Sequence, residues 1–96
     1  MKRNRLETLC TILTISVKGI KKTHIMYRAN LSHSQLEKFL EVLISKGLLI
    51  KEKDGLYYTN DKGLTFIEEC EKIQYMLGEN NNKSKIPQIY LNNYSG

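Results

Sequence analysis

A chain of 96 residues with a formal net charge of +5 is one small domain with room for a short tail. Its hydrophobic content of 41% is enough for a packed core, which excludes a wholly disordered chain. No apolar run is long enough to span a bilayer. The charge is unevenly placed. Residues 1–22 hold Lys2, Arg3, Arg5, Lys18, Lys21 and Lys22 against the single acid Glu7, an excess that matches that of the whole chain. Such a basic end suits a polyanionic partner. The charged start is not followed by a smooth apolar stretch ending in small residues, so no secretory signal is read and a cytoplasmic protein is expected.

Met1 to Arg5 forms a basic arm, either a frayed terminus or a stretch of charge lying along phosphates. From Leu6 to Lys18, Leu6, Leu9, Cys10, Leu13 and Val17 recur at helical spacing, and Gly19 supplies a stop. Many residues here are β-branched and favour strands, but the period is nearer 3.6 than 2. Ile12 and Ile15 lie off the main stripe and call for a second cover, for which another subunit is one source. Next comes a short helix that Thr23 can cap, with Ile25, Met26 and Ala29 facing inward and Asn30 ending it in a left-handed conformation.

The clearest helix lies between Leu31 and Leu48. Ser32 and Gln35 form a capping box, Leu31 and Leu36 a hydrophobic staple, and Gly47 a stop. Leu36, Phe39, Leu40 and Leu43 make one apolar stripe, while Ser34, Gln35, Lys38, Glu41 and Ser45 occupy the other face. Two helices joined by so tight a turn fit the helix-turn-helix pattern. Leu48–Lys53 and Leu56–Thr59 read as strands joined at Asp54-Gly55, a strong hairpin signal, and a hairpin in this place is a wing. Thr59 or Asn60 caps a last, acidic helix from Asp61 to Leu77. On it Phe66, Cys70, Ile73 and Leu77 step as a heptad-like seam, a candidate dimer interface. The remaining residues, 79–96, include Pro87 and are expected to be a flexible tail, although Ile86, Ile89, Tyr90, Leu91 and Tyr94 would let it dock on a partner.

The expected fold is therefore α+β and mainly α: three helices and a two-stranded wing over residues 1–60, a dimerisation helix over 61–78, and a tail over 79–96. Cys10 and Cys70 belong to no Cys-x-x-Cys pair and are expected as free core residues, with a disulfide as the alternative in an oxidising or very hot interior. Tyr27 and Tyr57 are expected to pack in the core or the hairpin.

The run Lys22-Thr23-His24-Ile25-Met26-Tyr27-Arg28-Ala29-Asn30-Leu31-Ser32, continued by Gln35-Leu36 and Lys46-Gly47-Leu48-Leu49, resembles the small archaeal and archaeal-virus winged helix-turn-helix regulators. Tyr57 and Asp61-Lys62-Gly63 add to the likeness. Asn60 stands where a Thr is usual and caps equally well; His33 stands where an aromatic residue is frequent. The resemblance implies binding of double-stranded DNA by a homodimer, often paired through the last helix, and a place at the nucleoid. In a helix-turn-helix the N-terminal part of the second helix meets base edges, which makes His33, Ser34, Gln35 and Lys38 the base-contact candidates. Arg3, Arg5, Lys21, Lys22, Arg28, Lys51 and Lys53 are the phosphate candidates.

No glycine-rich phosphate loop, metal-ligand spacing or nucleophile elbow is present in the sequence, so no cofactor, metal or enzymatic activity is expected. No ligand pocket is legible either, and a small-molecule effector is left unspecified. Among binding functions, the mixed polar face of the second helix favours a transcriptional regulator. An architectural, chromatin-like DNA-binding protein and a winged helix that binds only protein are the alternatives.

Overall fold

The structure, a computed structural model, describes residues 4–78. Residues 1–3 of the basic arm, Arg3 among them, and the expected tail at 79–96 lie outside the described residues. The order of elements is α1 (Arg5–Ile15), α2 (Lys22–Ala29), α3 (His33–Ser45), β1 (Leu49–Lys51), β2 (Tyr57–Thr59) and α4 (Asp61–Met76). This is the expected mainly helical α+β fold with a two-stranded wing.

α1 begins one residue earlier than its apolar stripe suggests, because Asn4 and Glu7 form a capping box. The Glu7 N–H donates to Asn4 Oδ1 at 2.7 Å, and the Asn4 N–H donates to Glu7 Oε1 at 3.2 Å. The helix is central to the fold: it packs on α2, β2 and α4. That position changes which of its residues are inside. Ile12, Leu13 and Ser16 are fully buried and Thr8 and Cys10 nearly so, whereas Leu6 and Val17 are partly exposed. The cover expected over Ile12 is supplied by the chain itself, since Ile12 joins the main core with Ile25, Leu36, Leu43 and Leu49.

α2 is not capped by Thr23. Lys21 occupies the N-cap without a side-chain bond. Its other end is as expected: Asn30 is left-handed (φ 57°, ψ 54°), and the N–H groups of Asn30 and Leu31 donate to Tyr27 and Met26 carbonyls at 3.2 and 3.0 Å. This closes the turn into α3, where the Ser32–Gln35 capping box forms as read from the sequence. Leu36, Leu40 and Leu43 then bury one face of α3.

The hairpin pairs Leu49 with Thr59, Ile50 with Tyr58 and Lys51 with Tyr57. Asp54-Gly55 is not a two-residue turn. The Glu52 N–H donates to the Leu56 carbonyl at 2.9 Å, leaving Lys53, Asp54 and Gly55 as a three-residue loop. Gly55 takes the left-handed position at φ 85°, and Asp54 Oδ1 accepts from the Leu56 N–H at 2.9 Å. Ile20 adds an antiparallel bridge to Tyr57 that the sequence reading lacked.

Thr59 does not cap α4 but ties β2 to α1: its N–H donates to the Ser16 carbonyl at 3.1 Å and its hydroxyl to that of Leu13. Asn60 is the cap, accepting from the Gly63 N–H at 2.8 Å while its side-chain amide donates to the Gly47 carbonyl at 2.6 Å. Gly63 is required by space. A Cβ there would overlap the Leu48 carbonyl oxygen and Thr59 Cγ2, so α4 starts pressed against the strand. The helix leaves from beside Ser16 and reaches Cys10 at Cys70, so it runs antiparallel to α1.

Cys10 and Cys70 are bonded to each other, contrary to the expectation of two free thiols. The same bond removes Cys70 from the candidate dimer seam, because the residue is buried within the protomer. Phe66 also packs on the protomer's own core. Ile73 and Leu77, beyond the disulfide, are exposed. The division at residue 60 is therefore not a division of the packing: the first half of α4 completes the core.

Candidate nucleic-acid interface

The outward face of α3 carries His33, Ser34, Gln35, Lys38 and Glu41, all exposed. Their exposure follows from the stripe opposite, which fixes the rotation of the helix about its axis. Ser34, Lys38, Glu41 and Ser45 lie along one line of the face by their spacing. Within this set, Gln35 is already committed. Its Oε1 accepts from the Ser32 N–H at 2.9 Å, so a base contact through that oxygen would compete with the cap. Its amide NH2 and the second lone pair of Oε1 are left for further bonds.

Glu37 links α3 to α2 and to its own first turn. Its Oε2 pairs with Lys22 Nζ and stands 3.5 Å from His33 Nε2. Lys22 is accordingly paired across the two helices in the free protein, because the tight α2–α3 turn sets them side by side. His33 remains 73% exposed, so this contact does not remove it from the surface.

The other phosphate candidates separate into groups. Lys51 and Lys53 are exposed on the wing, where Lys51 Nζ lies 5.8 Å from the centroid of the Tyr57 ring. Asp54 Oδ2 accepts from the Tyr58 hydroxyl at 2.9 Å. This hydrogen bond, with smaller contributions from desolvation and the charges of Asp54 and Glu52, holds the phenol above its ordinary pKa. The loop thus keeps a neutral donor on its acid. Arg5 opens α1 at the end from which the wing is absent and is not gathered with the rest. Lys21 and Arg28 lie on the flank of α2 away from α3. There they border an open groove of about 660 Å³ between α1, α2 and the wing.

Lys18, His24, Tyr27 and Leu56 share that groove and were not foreseen as a group. Tyr27 overturns the expectation of core packing, being 76% exposed, whereas Tyr57 is buried as expected. A signal existed. Lys21, His24 and Arg28 step by three and four residues, which places them on one flank of a helix. What the sequence could not give was the position of Leu56 opposite them. Among the described residues, no cluster of His, Cys, Asp or Glu is arranged to hold a metal ion. No helix among them is long and apolar enough to cross a membrane.

Comparisons with known proteins agree with this geometry. The chain is similar to two uncharacterized proteins of Methanocaldococcus jannaschii. One is 41% identical over 59 residues, covering 60% of this chain and 61% of the relative. The other is 31% identical over 74 residues, covering 76% of this chain and 35% of the relative. The chain thus spans about a third to three fifths of the length of these curated relatives. Its structure is similar to the crystal structure of Sso10a-2, a DNA-binding protein from Sulfolobus solfataricus, with a TM-score of 0.65 and 27% identity, over 85% of this chain and 93% of that one. A family model described as winged helix-turn-helix matches residues 2–78, which takes in α4 as well as the wing. With archaeal relatives, a shared fold and this match over most of its length, the chain belongs to the winged helix-turn-helix family.

Proposed function

We propose that the protein binds double-stranded DNA through α3 and the wing and acts as a transcriptional regulator rather than as an enzyme. The observation that carries this is the outward face of α3. Ser34 and Lys38 stand exposed on a helix fixed by its capping box and by the burial of Leu36, Leu40 and Leu43. In this fold that face enters the major groove. Lys38 can donate to guanine O6 or N7, Ser34 to several base edges, and His33 to a base or phosphate. Lys51 and Lys53 reach the backbone from the wing and fix register without reading sequence. The similarity to a DNA-binding protein of the same fold supports this assignment.

A dimer completes the proposal. Ile73, Met76 and Leu77 are exposed on the last turns of α4, and Leu6 is partly exposed at the end of α1 towards which α4 runs. A second copy covering these residues would double the DNA surface, and two-fold symmetry would match paired half-sites. Ile73→Asp is expected to convert a dimer to a monomer by mass in solution. An unchanged mass would remove this surface from the account.

The regulatory assignment is tested by titrating a random duplex and the DNA upstream of the protein's own gene across a salt series. A strong preference for the upstream DNA that survives rising salt is the expected result. Equal affinities falling steeply with salt would point to an architectural role instead. Absence of binding to either duplex at low salt would overturn DNA binding altogether.

A further inference from the structure

The groove on the far flank of α2 has a composition that duplex DNA does not need. Its floor is apolar: Ile15, Val17, Ile20 and Leu56 line it, and Val17 is 39% exposed despite its β-branched hydrocarbon side chain. Its rim is basic: Lys18, Lys21, His24 and Arg28 surround that floor, and none of the lining residues is acidic. Tyr27 stands at the edge with most of its ring in solvent. A phosphate diester would satisfy the rim but would leave the floor wet, since a hydrated anion gains nothing from hydrocarbon. A neutral apolar molecule would cover the floor and leave the cations without a partner. The volume, about 660 Å³, is that of a small-molecule cleft.

We propose that this groove is a binding site for a small amphipathic organic anion, an aromatic ring system bearing a carboxylate. The ring lies on Val17, Ile20 and Leu56 beside Tyr27, and the carboxylate meets Arg28 and Lys21. Arginine is suited to such a group because its planar fork can donate two parallel hydrogen bonds. The site is distinct from the proposed DNA face. Lys22 pairs with Glu37 on the side of α2 turned towards α3, whereas Lys21, His24 and Arg28 occupy the opposite flank. The inference therefore does not depend on DNA binding.

The test is a titration of the 15N-labelled protein with 2-naphthoate, 2-naphthalenemethanol and inorganic phosphate, followed by amide chemical shifts. Saturable shifts at Val17, Lys18, His24 and Tyr27 are expected with 2-naphthoate. The neutral alcohol and phosphate should each bind about tenfold more weakly or less. Arg28→Ala and Leu56→Ser should each weaken 2-naphthoate binding by about tenfold while the spectrum shows an intact fold, and Lys38→Ala should leave it unchanged. Phosphate binding as well as 2-naphthoate would reduce the groove to a general anion surface and overturn the proposal. So would equal binding of the alcohol, an equal loss in Lys38→Ala, or no saturable shifts in the groove.

Discussion

The seam between α1 and α4 and the outer faces of α2 and α3 are built on opposite rules. In the seam, polar and covalent links are closed within the chain. Cys10 is bonded to Cys70, the Thr59 hydroxyl meets the Leu13 carbonyl, and Asn60 links the start of α4 to the Gly47 carbonyl. On the outer faces, Ser34, Lys38, His24 and Arg28 project to solvent, and the Lys22–Glu37 pair ties the two helices by charge. The difference separates what maintains the fold from what is available to a partner. A residue in the seam should act on stability and a residue on the outer faces on affinity, with little crossover.

The largest expected effect lies in the seam. The disulfide closes a loop across a sequence separation of 60 residues. Its removal by Cys70→Ser should cost about 3–4 kcal/mol and lower the melting temperature by roughly 15 °C or more, measured by thermal unfolding. A melting temperature unchanged by the substitution would mean that the seam holds without the bond. Gly63→Ala comes next, at about 2–3 kcal/mol, because the added Cβ would have to displace the Leu48 carbonyl. Unfolding in urea would detect it as a lower midpoint.

On the outer faces the ranking concerns binding. Lys38→Ala should weaken duplex binding by about 1–3 kcal/mol with an unchanged melting temperature. A loss of stability instead would place Lys38 in the fold and blur the division. The smallest effect is expected from Glu37→Gln. The pair with Lys22 is half exposed and should contribute less than about 1 kcal/mol to stability. Freeing Lys22 should, however, strengthen duplex binding and steepen its salt dependence by about one unit. A weaker complex would show that Glu37 is needed where it stands.

The same division explains what could be read from the sequence. Local signals carried the outline: the Ser32–Gln35 box, the left-handed Asn30, the α3 stripe and Gly55 in the hairpin loop all formed. The failures involve partners distant in the chain. Thr59 looks like a helix cap because its neighbours begin a helix, yet its bonds go to α1. Cys70 fits a heptad seam by spacing, but only the antiparallel run of α4 along α1 brings it to Cys10. Gly63 has no local turn to explain it; its reason is the Leu48 carbonyl, which arrives from the strand. At the surface, spacing identified the exposed face of α3, but it could not weigh the occupation of Gln35 in the Ser32–Gln35 box against base contact. It also could not place Leu56 across from Lys21 and Arg28, since that requires the wing to fold back through the Ile20–Tyr57 bridge.

The central claim, that DNA meets α3 and the wing while the α1–α4 seam serves the fold, is tested most directly by mapping a short duplex onto the protein. Amide chemical shifts of the 15N-labelled protein would be followed as the duplex is added. The largest changes are expected at His33, Ser34 and Lys38 and at Lys51 and Lys53, with Thr8, Cys10, Gly63 and Cys70 unmoved. Changes concentrated on α4, with α3 and the wing silent, would contradict the account and assign the binding surface to the other side of the molecule.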